Sequence, residues 1–225
     1  MTAPRLPILS LLETRVLGVL CEKQHTVPDT YPLSLNALVA GCNQKTSRDP
    51  IIEVSEADVL SAIDSLKGPA LIIETSGGRV TRYAHNMERA LRLPSQSIAV
   101  LTTLMLRGPQ TAGELRINSE RLHRFADISA VEGFLQELAE RPEGVLVVEL
   151  PRQPGSRENR WAHLFSGVPV IVDAPAPASS APLSAVDVTV GEIAALKANV
   201  ARLEEEVNAL KGLVGKLCAE LGVSG

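Results

Sequence analysis

Long apolar runs, aromatic residues and paired cysteines are what this chain lacks, and each absence removes a class of protein. No stretch of eighteen or more apolar residues occurs, so no membrane span is expected. Met1 to Pro7 lack a charged-then-apolar leader, which points to a cytoplasmic rather than an exported protein. Aromatics make up only 3% of the residues, too few for a protein that stacks single-stranded bases. Cys21, Cys42 and Cys218 are odd in number and form no C-x-x-C pair, which argues against a disulfide framework and against a zinc ribbon.

The motifs of catalysis are missing as well. The sequence contains no G-x-S-x-G elbow, P-loop, G-x-G-x-x-G turn or H-E-x-x-H helix, so a non-enzymatic protein without cofactor or metal is expected. Cys21 and His25 stand four apart, a spacing open to a thiolate–imidazole pair or half a metal site. With no third partner in view, a packed thiol beside a loop histidine is the simpler reading.

What is present is a repeat. Val16, Leu17 and Leu20 recur as Val100, Leu101 and Leu104, and Val59, Ile63 and Leu66 recur with one identical shift as Val131, Leu135 and Leu138. Arg82-Tyr-Ala-His85 is echoed by Arg160-Trp-Ala-His163. Each unit reads as three helices and two strands, the strands joined at Gly77-Gly78 or Pro154-Gly155. That is the order of a winged helix. Ser10-x-x-Glu13 and Thr111-x-x-Glu114 form capping boxes, and Ser55 and Asp127 are N-caps of the third helices. Pro94 and Gly108-Pro109 bracket the first helix of the second unit. The predicted fold is mainly α with small β wings (α+β): winged-helix domains over 1–92 and 93–167, a Pro/Ala-rich linker over 168–188, and a coiled-coil helix over 189–222.

The tail is the most regular segment. Ile193, Leu196, Val200, Leu203, Val207, Leu210, Val214, Leu217 and Leu221 alternate steps of three and four, with β-branched residues at the first four a positions, Leu221 at the fifth, and leucine at every d. This pattern favours two parallel strands, so the chain is its own expected partner, as a homodimer. Glu192 and Glu206 are placed to meet Lys197 and Lys211 of the second helix, each exposed pair contributing only about 0.2–1 kcal/mol.

Glu13-Thr-Arg-Val-Leu-Gly-Val-Leu20, Tyr31-Pro-Leu-Ser-Leu-Asn-Ala-Leu38 and Cys42-Asn-Gln-Lys-Thr-Ser-Arg48 resemble the bacterial YceH family. So do Leu106-Arg-Gly-Pro-Gln-Thr111, Gly113-Glu-Leu-Arg116, Arg121-Leu-His123 and Leu150-Pro-Arg-Gln-Pro-Gly155. The resemblance runs from about residue 9 to residue 166. It implies tandem winged helices in a cytoplasmic bacterial protein, and no settled activity.

A winged helix suggests DNA, with the third helix in the major groove and the wing on phosphate. The side chains qualify this. Once Val59, Leu60, Ile63 and Leu66 turn inward, the third helix of the first unit presents Glu56, Asp58, Ser61, Asp64 and Ser65; its counterpart presents Glu132, Gln136, Glu137 and Glu140. Carboxylates repel phosphates, and base reading favours Arg, Lys, Asn or Gln. The cations sit instead in loops and wings: Lys45, Arg48, Arg79 and Arg82, then Arg116, Arg121, Arg124, Arg152, Arg157 and Arg160. If duplex DNA is the partner, these carry the contacts. The alternative is a scaffold whose acidic faces receive an unidentified protein. The segment from Asn43 to Arg48, with its amides, hydroxyls and two cations, is either an anion cradle or a turn before Pro50.

Overall fold

The computed structural model of the chain describes residues 8–76, 80–152 and 156–169. The strand-joining turns, Arg79, most of the expected linker and the whole expected coiled-coil helix lie outside the described residues.

Helix α1 spans Leu11–Thr26 and starts where the sequence says it should. The Ser10 amide donates to Glu13 Oε2 at 2.6 Å and the Glu13 amide donates to Ser10 Oγ at 3.2 Å, so two amides that helix geometry leaves unpaired find partners. Every residue from Thr14 to Cys21 is buried. A helix covered on all sides lies inside a core rather than on its rim, and α1 packs against both halves of the described chain.

The first half continues with a single 3-10 turn at Pro28–Thr30, β1 (Leu33–Ser34), α2 (Leu35–Cys42), α3 (Glu56–Lys67), β2 (Ile72–Thr75) and β3 (Arg82–His85). The strands form one antiparallel sheet in the order β1-β3-β2, with Leu33 opposite Tyr83 and Ile72 opposite His85. Ser55 and Asp58 form a capping box on α3. Its inward face is Val59, Ala62, Ile63 and Leu66. Leu60, expected inward, is 39% exposed: the buried stripe at steps of three and four passes through Ala62, leaving Leu60 on the outer side of the helix.

A short helix not foreseen from the sequence, α4 (Met87–Leu91), leads into the second half: α5 (Ser95–Arg107), α6 (Ala112–Asn118), α7 (Ile128–Ala139), β4 (Val147–Glu149) and β5 (Trp161–His163). Pro94 and Gly108 flank α5 as expected, and Gly108 has φ 72°, a conformation glycine adopts without a Cβ clash. Thr111–Glu114 caps α6 and Asp127 caps α7. Among the described residues the β4-β5 pair has no full third strand. In its place Gln110 and Trp161 exchange both backbone hydrogen bonds, at 3.0 and 2.7 Å.

The fold is α+β, with seven α-helices and two small antiparallel sheets among the described residues. They lie in one compact unit with a continuous apolar core. The seam is α1 against α5. Gly18 lies against Leu106 there, where a Cβ would come 2.9 Å from Leu106 Cδ2 and the leucine tip would have to shift. Backbone bonds stitch the halves further: Asp49 N–H to Leu106 O at 2.8 Å, and Leu9 N–H to Phe165 O at 2.7 Å.

Candidate nucleic-acid interface

The two halves treat their cations differently. In the first, Lys45 is exposed in the loop after α2, whereas Arg48 is withdrawn from solvent. Its guanidinium donates to both oxygens of Glu22 on α1, at 3.1 and 2.6 Å, and to Gly41 O at 3.3 Å. Expected among the outward-facing loop cations, Arg48 instead has a side chain that is 0% exposed, because an ion pair with α1 anchors the loop. Burial alone would raise the Glu22 carboxyl, but hydrogen bonding and charge from Arg48, with Lys23 adding to them, hold it below the ordinary carboxylate range. Arg82, on β3, is exposed, and it donates to Thr30 O and Pro32 O at 3.2 and 2.7 Å, tying the sheet to the turn before β1.

A second guanidinium, Arg15, is also fully buried. It donates to Cys42 O and Pro50 O at 3.2 and 2.5 Å, and its Nε has no partner among the described residues. Desolvation and the charge of Arg48 lower its pKa.

In the second half Arg116, Arg121, Arg124, Arg152 and Arg157 are all exposed. Arg116 also reaches Ala126 O at 3.2 Å, bracing the connection from α6 to α7. Arg160 is half-buried and its Nη2 lies 3.0 Å from both oxygens of Glu114. The structure therefore places Arg116 in the last turn of α6, Arg121 and Arg124 in the connection from α6 to α7, and Arg152 and Arg157 beside the β4-β5 pair, and turns Arg160 back onto α6. The outer faces of α3 and α7 are acidic as expected, with Glu56, Asp58, Asp64, Glu132, Glu137 and Glu140 exposed.

The cysteine and histidine readings resolve into packing. Cys21 and Cys42 are buried, and burial pushes both thiols up to about 12. Cys21 Sγ sits 3.4 Å from Met87 Sδ, while His25 is exposed. Among the described residues no three His, Cys, Asp or Glu side chains gather in a metal-binding group. His85 and His163 end equivalent strands, and burial pushes both down to about 4.

Sequence reasoning passed over Lys23 and Arg107. Arg107 Nη2 donates to Ser47 Oγ at 2.7 Å across the seam between the halves, a contact between residues sixty apart that no local pattern announces.

A model for a family described as a protein of unknown function, DUF480, matches residues 9–156. A UPF0502 protein of Dechloromonas aromatica is 62% identical over 208 residues, covering 92% of this chain and 95% of that protein. One from Methylibium petroleiphilum is 62% identical over 218 residues, 97% of this chain and 92% of its own. A third, from Burkholderia ambifaria, is 57% identical over 224 residues and covers 99% of this chain and 94% of its own, so the likeness extends through the heptad tail that the family model leaves out. The chain thus belongs to the UPF0502 family of bacterial proteins, described under DUF480 as proteins of unknown function.

Proposed function

We propose that this protein is a non-enzymatic, DNA-associated regulator of the cytoplasm, built from two winged helices and paired by its C-terminal coiled coil. Support for the winged helices comes from element order. Helix, short strand, two helices and a two-stranded hairpin recur in both halves, with Gln110 standing where β1 stands in the first. It agrees with the resemblance to the YceH family.

The observation that carries the DNA reading is the set of five exposed arginines in the second half, Arg116, Arg121, Arg124, Arg152 and Arg157. They lie off the acidic α7 face, so the contacts proposed are to backbone phosphate rather than to base edges. Such contacts give weak, salt-sensitive binding. Pairing through the heptads of residues 189–222 raises the effective concentration of the second set once the first is engaged.

A scaffold that receives a basic protein on α3 and α7 is the competing reading, and the exposed carboxylates there favour it. Titration of duplex DNA against salt separates the two. Five arginines on phosphate predict a log–log slope of about −4 to −5 per chain, steeper for the intact protein than for one ending at Gly167. Absence of binding by either form at low salt would remove DNA and leave the scaffold.

A further inference from the structure

A cleft of about 220 Å³ lies between the two halves and shares only Arg121 with the exposed arginines of the proposed phosphate-backbone surface. Its walls come from the end of α1, the loop after α2, the last turn of α5 and the residues after α6. Three cations line it, each from a different element: Lys23, Arg107 and Arg121. The single carboxylate on the wall, Glu22, is already neutralised from behind by the buried Arg48. That leaves a surplus of positive charge facing a partly enclosed space.

The cations are also short of acidic partners. Arg107 bonds only the Ser47 hydroxyl, and Arg121 makes no hydrogen bond or ion pair among the described residues. Lys23 shares Glu22 with Arg48 and donates to Gln44 Oε1 at 3.1 Å. Ser47 holds φ 58°, and its carbonyl accepts from Arg48 Nη1 at 2.9 Å, so the loop that the sequence marks as a possible anion cradle is pinned with its hydroxyl toward Arg107. The buried side chains of Thr103 and Leu106 close the floor.

We propose that this cleft binds a small phosphate-bearing molecule, with the guanidinium groups of Arg107 and Arg121 and the ammonium of Lys23 on its oxygens and Ser47 Oγ as a neutral partner. Guanidinium forks match phosphate geometry, and hydrogen bonds between charged groups are the strong ones. The volume falls below the roughly 300 Å³ at which pockets for drug-sized ligands begin and suits a small phosphate ester or inorganic phosphate. Because the walls belong to both halves, the occupant bridges them.

The test is calorimetric titration of the intact protein, without DNA, using inorganic phosphate and glycerol 3-phosphate, with citrate and matched sodium chloride alongside. Saturable binding of one of the phosphates is expected, weakened at least about tenfold in Arg121→Ala and in Arg107→Met, and unchanged in Arg89→Ala, an exposed cation on α4. Arg121 is exposed and unbonded, so its variant keeps the fold even if that at Arg107 does not. No saturable phosphate heat at millimolar concentration, binding of citrate alone, or binding indifferent to Arg121 would each overturn the site. The DNA reading stands or falls separately, since none of these measurements contains a nucleic acid.

Discussion

The two halves share an order of elements and differ in where they keep their charge. In the first, Arg48 is drawn under a loop to meet Glu22, Arg15 is sealed against backbone carbonyls, and Arg82 braces the turn before β1. The second leaves five arginines in solvent and pins Arg141 and Arg160 to the half-exposed carboxylates of Glu143 and Glu114. A duplicated topology thus does not carry duplicated electrostatics. Cations that anchor a loop in one copy are free to meet a ligand in the other, and the division tells which copy to probe for binding and which for stability.

The largest effect that would sharpen this division lies in binding. Neutralising Arg116, Arg124, Arg152 and Arg157 together to Gln should lower the salt slope of duplex binding by about 4 and the affinity at 0.1 M salt by on the order of 10³. The same change at Lys45 and Arg82 should lower the slope by no more than about 2. Equal losses from the two sets would erase the contrast between the halves.

Stability should run the other way. Glu22→Gln strands the buried Arg48 guanidinium beside Arg15, and loss of one partner of a buried pair costs about 3–5 kcal/mol. Glu114→Gln keeps the cap on α6 and breaks only the pair with Arg160, whose side chains are 44% and 41% exposed, at about 0.2–1 kcal/mol. Denaturant unfolding of both variants measures the difference. Comparable midpoints would mean that Arg48 is not the anchor its burial implies.

How much of this was legible beforehand follows from range. The caps at Ser10, Ser55, Thr111 and Asp127 were readable because a cap and its amide partner lie three residues apart. The repeat was readable because periodic apolar residues mark helix faces. Arg48 was not, since its partner on α1 is twenty-six positions away and nothing in the loop distinguishes an anchoring cation from an exposed one. Leu60 was misplaced by reading a leucine as core where the alanine at 62 holds the inward position. The cleft stayed hidden for the same reason as Arg48: Lys23 on α1, Arg107 on α5 and Arg121 after α6 meet only through tertiary contacts. Short-range signals fix elements, while the pairing of charges waits on tertiary contacts.

The finest contrast between the halves concerns their matched histidines. In the first, Nδ1 of His85 accepts from the Met87 amide at 3.4 Å and Nε2 faces Gln24 Oε1, so the neutral ring with its proton on Nε2 is bonded at both ends. In the second, His163 Nδ1 has no partner among the described residues. Both rings are pushed down to about 4 by burial, His85 also by the neighbouring His25. A group of this kind takes its proton only on unfolding. Its stabilising effect is therefore complete above the unfolded value of about 6.5 and is lost as pH falls from there toward 4, by up to about 1.4 kcal/mol per pH unit for each ring. Replacing either histidine with Phe should flatten that slope. At pH 7, His85→Phe should cost about 1–3 kcal/mol, because it leaves the Gln24 amide oxygen and the Met87 amide without their partner, whereas His163→Phe should cost almost nothing. Imidazole resonances followed by NMR give the check: a midpoint near 6.5 for either ring would show that burial does not hold it neutral.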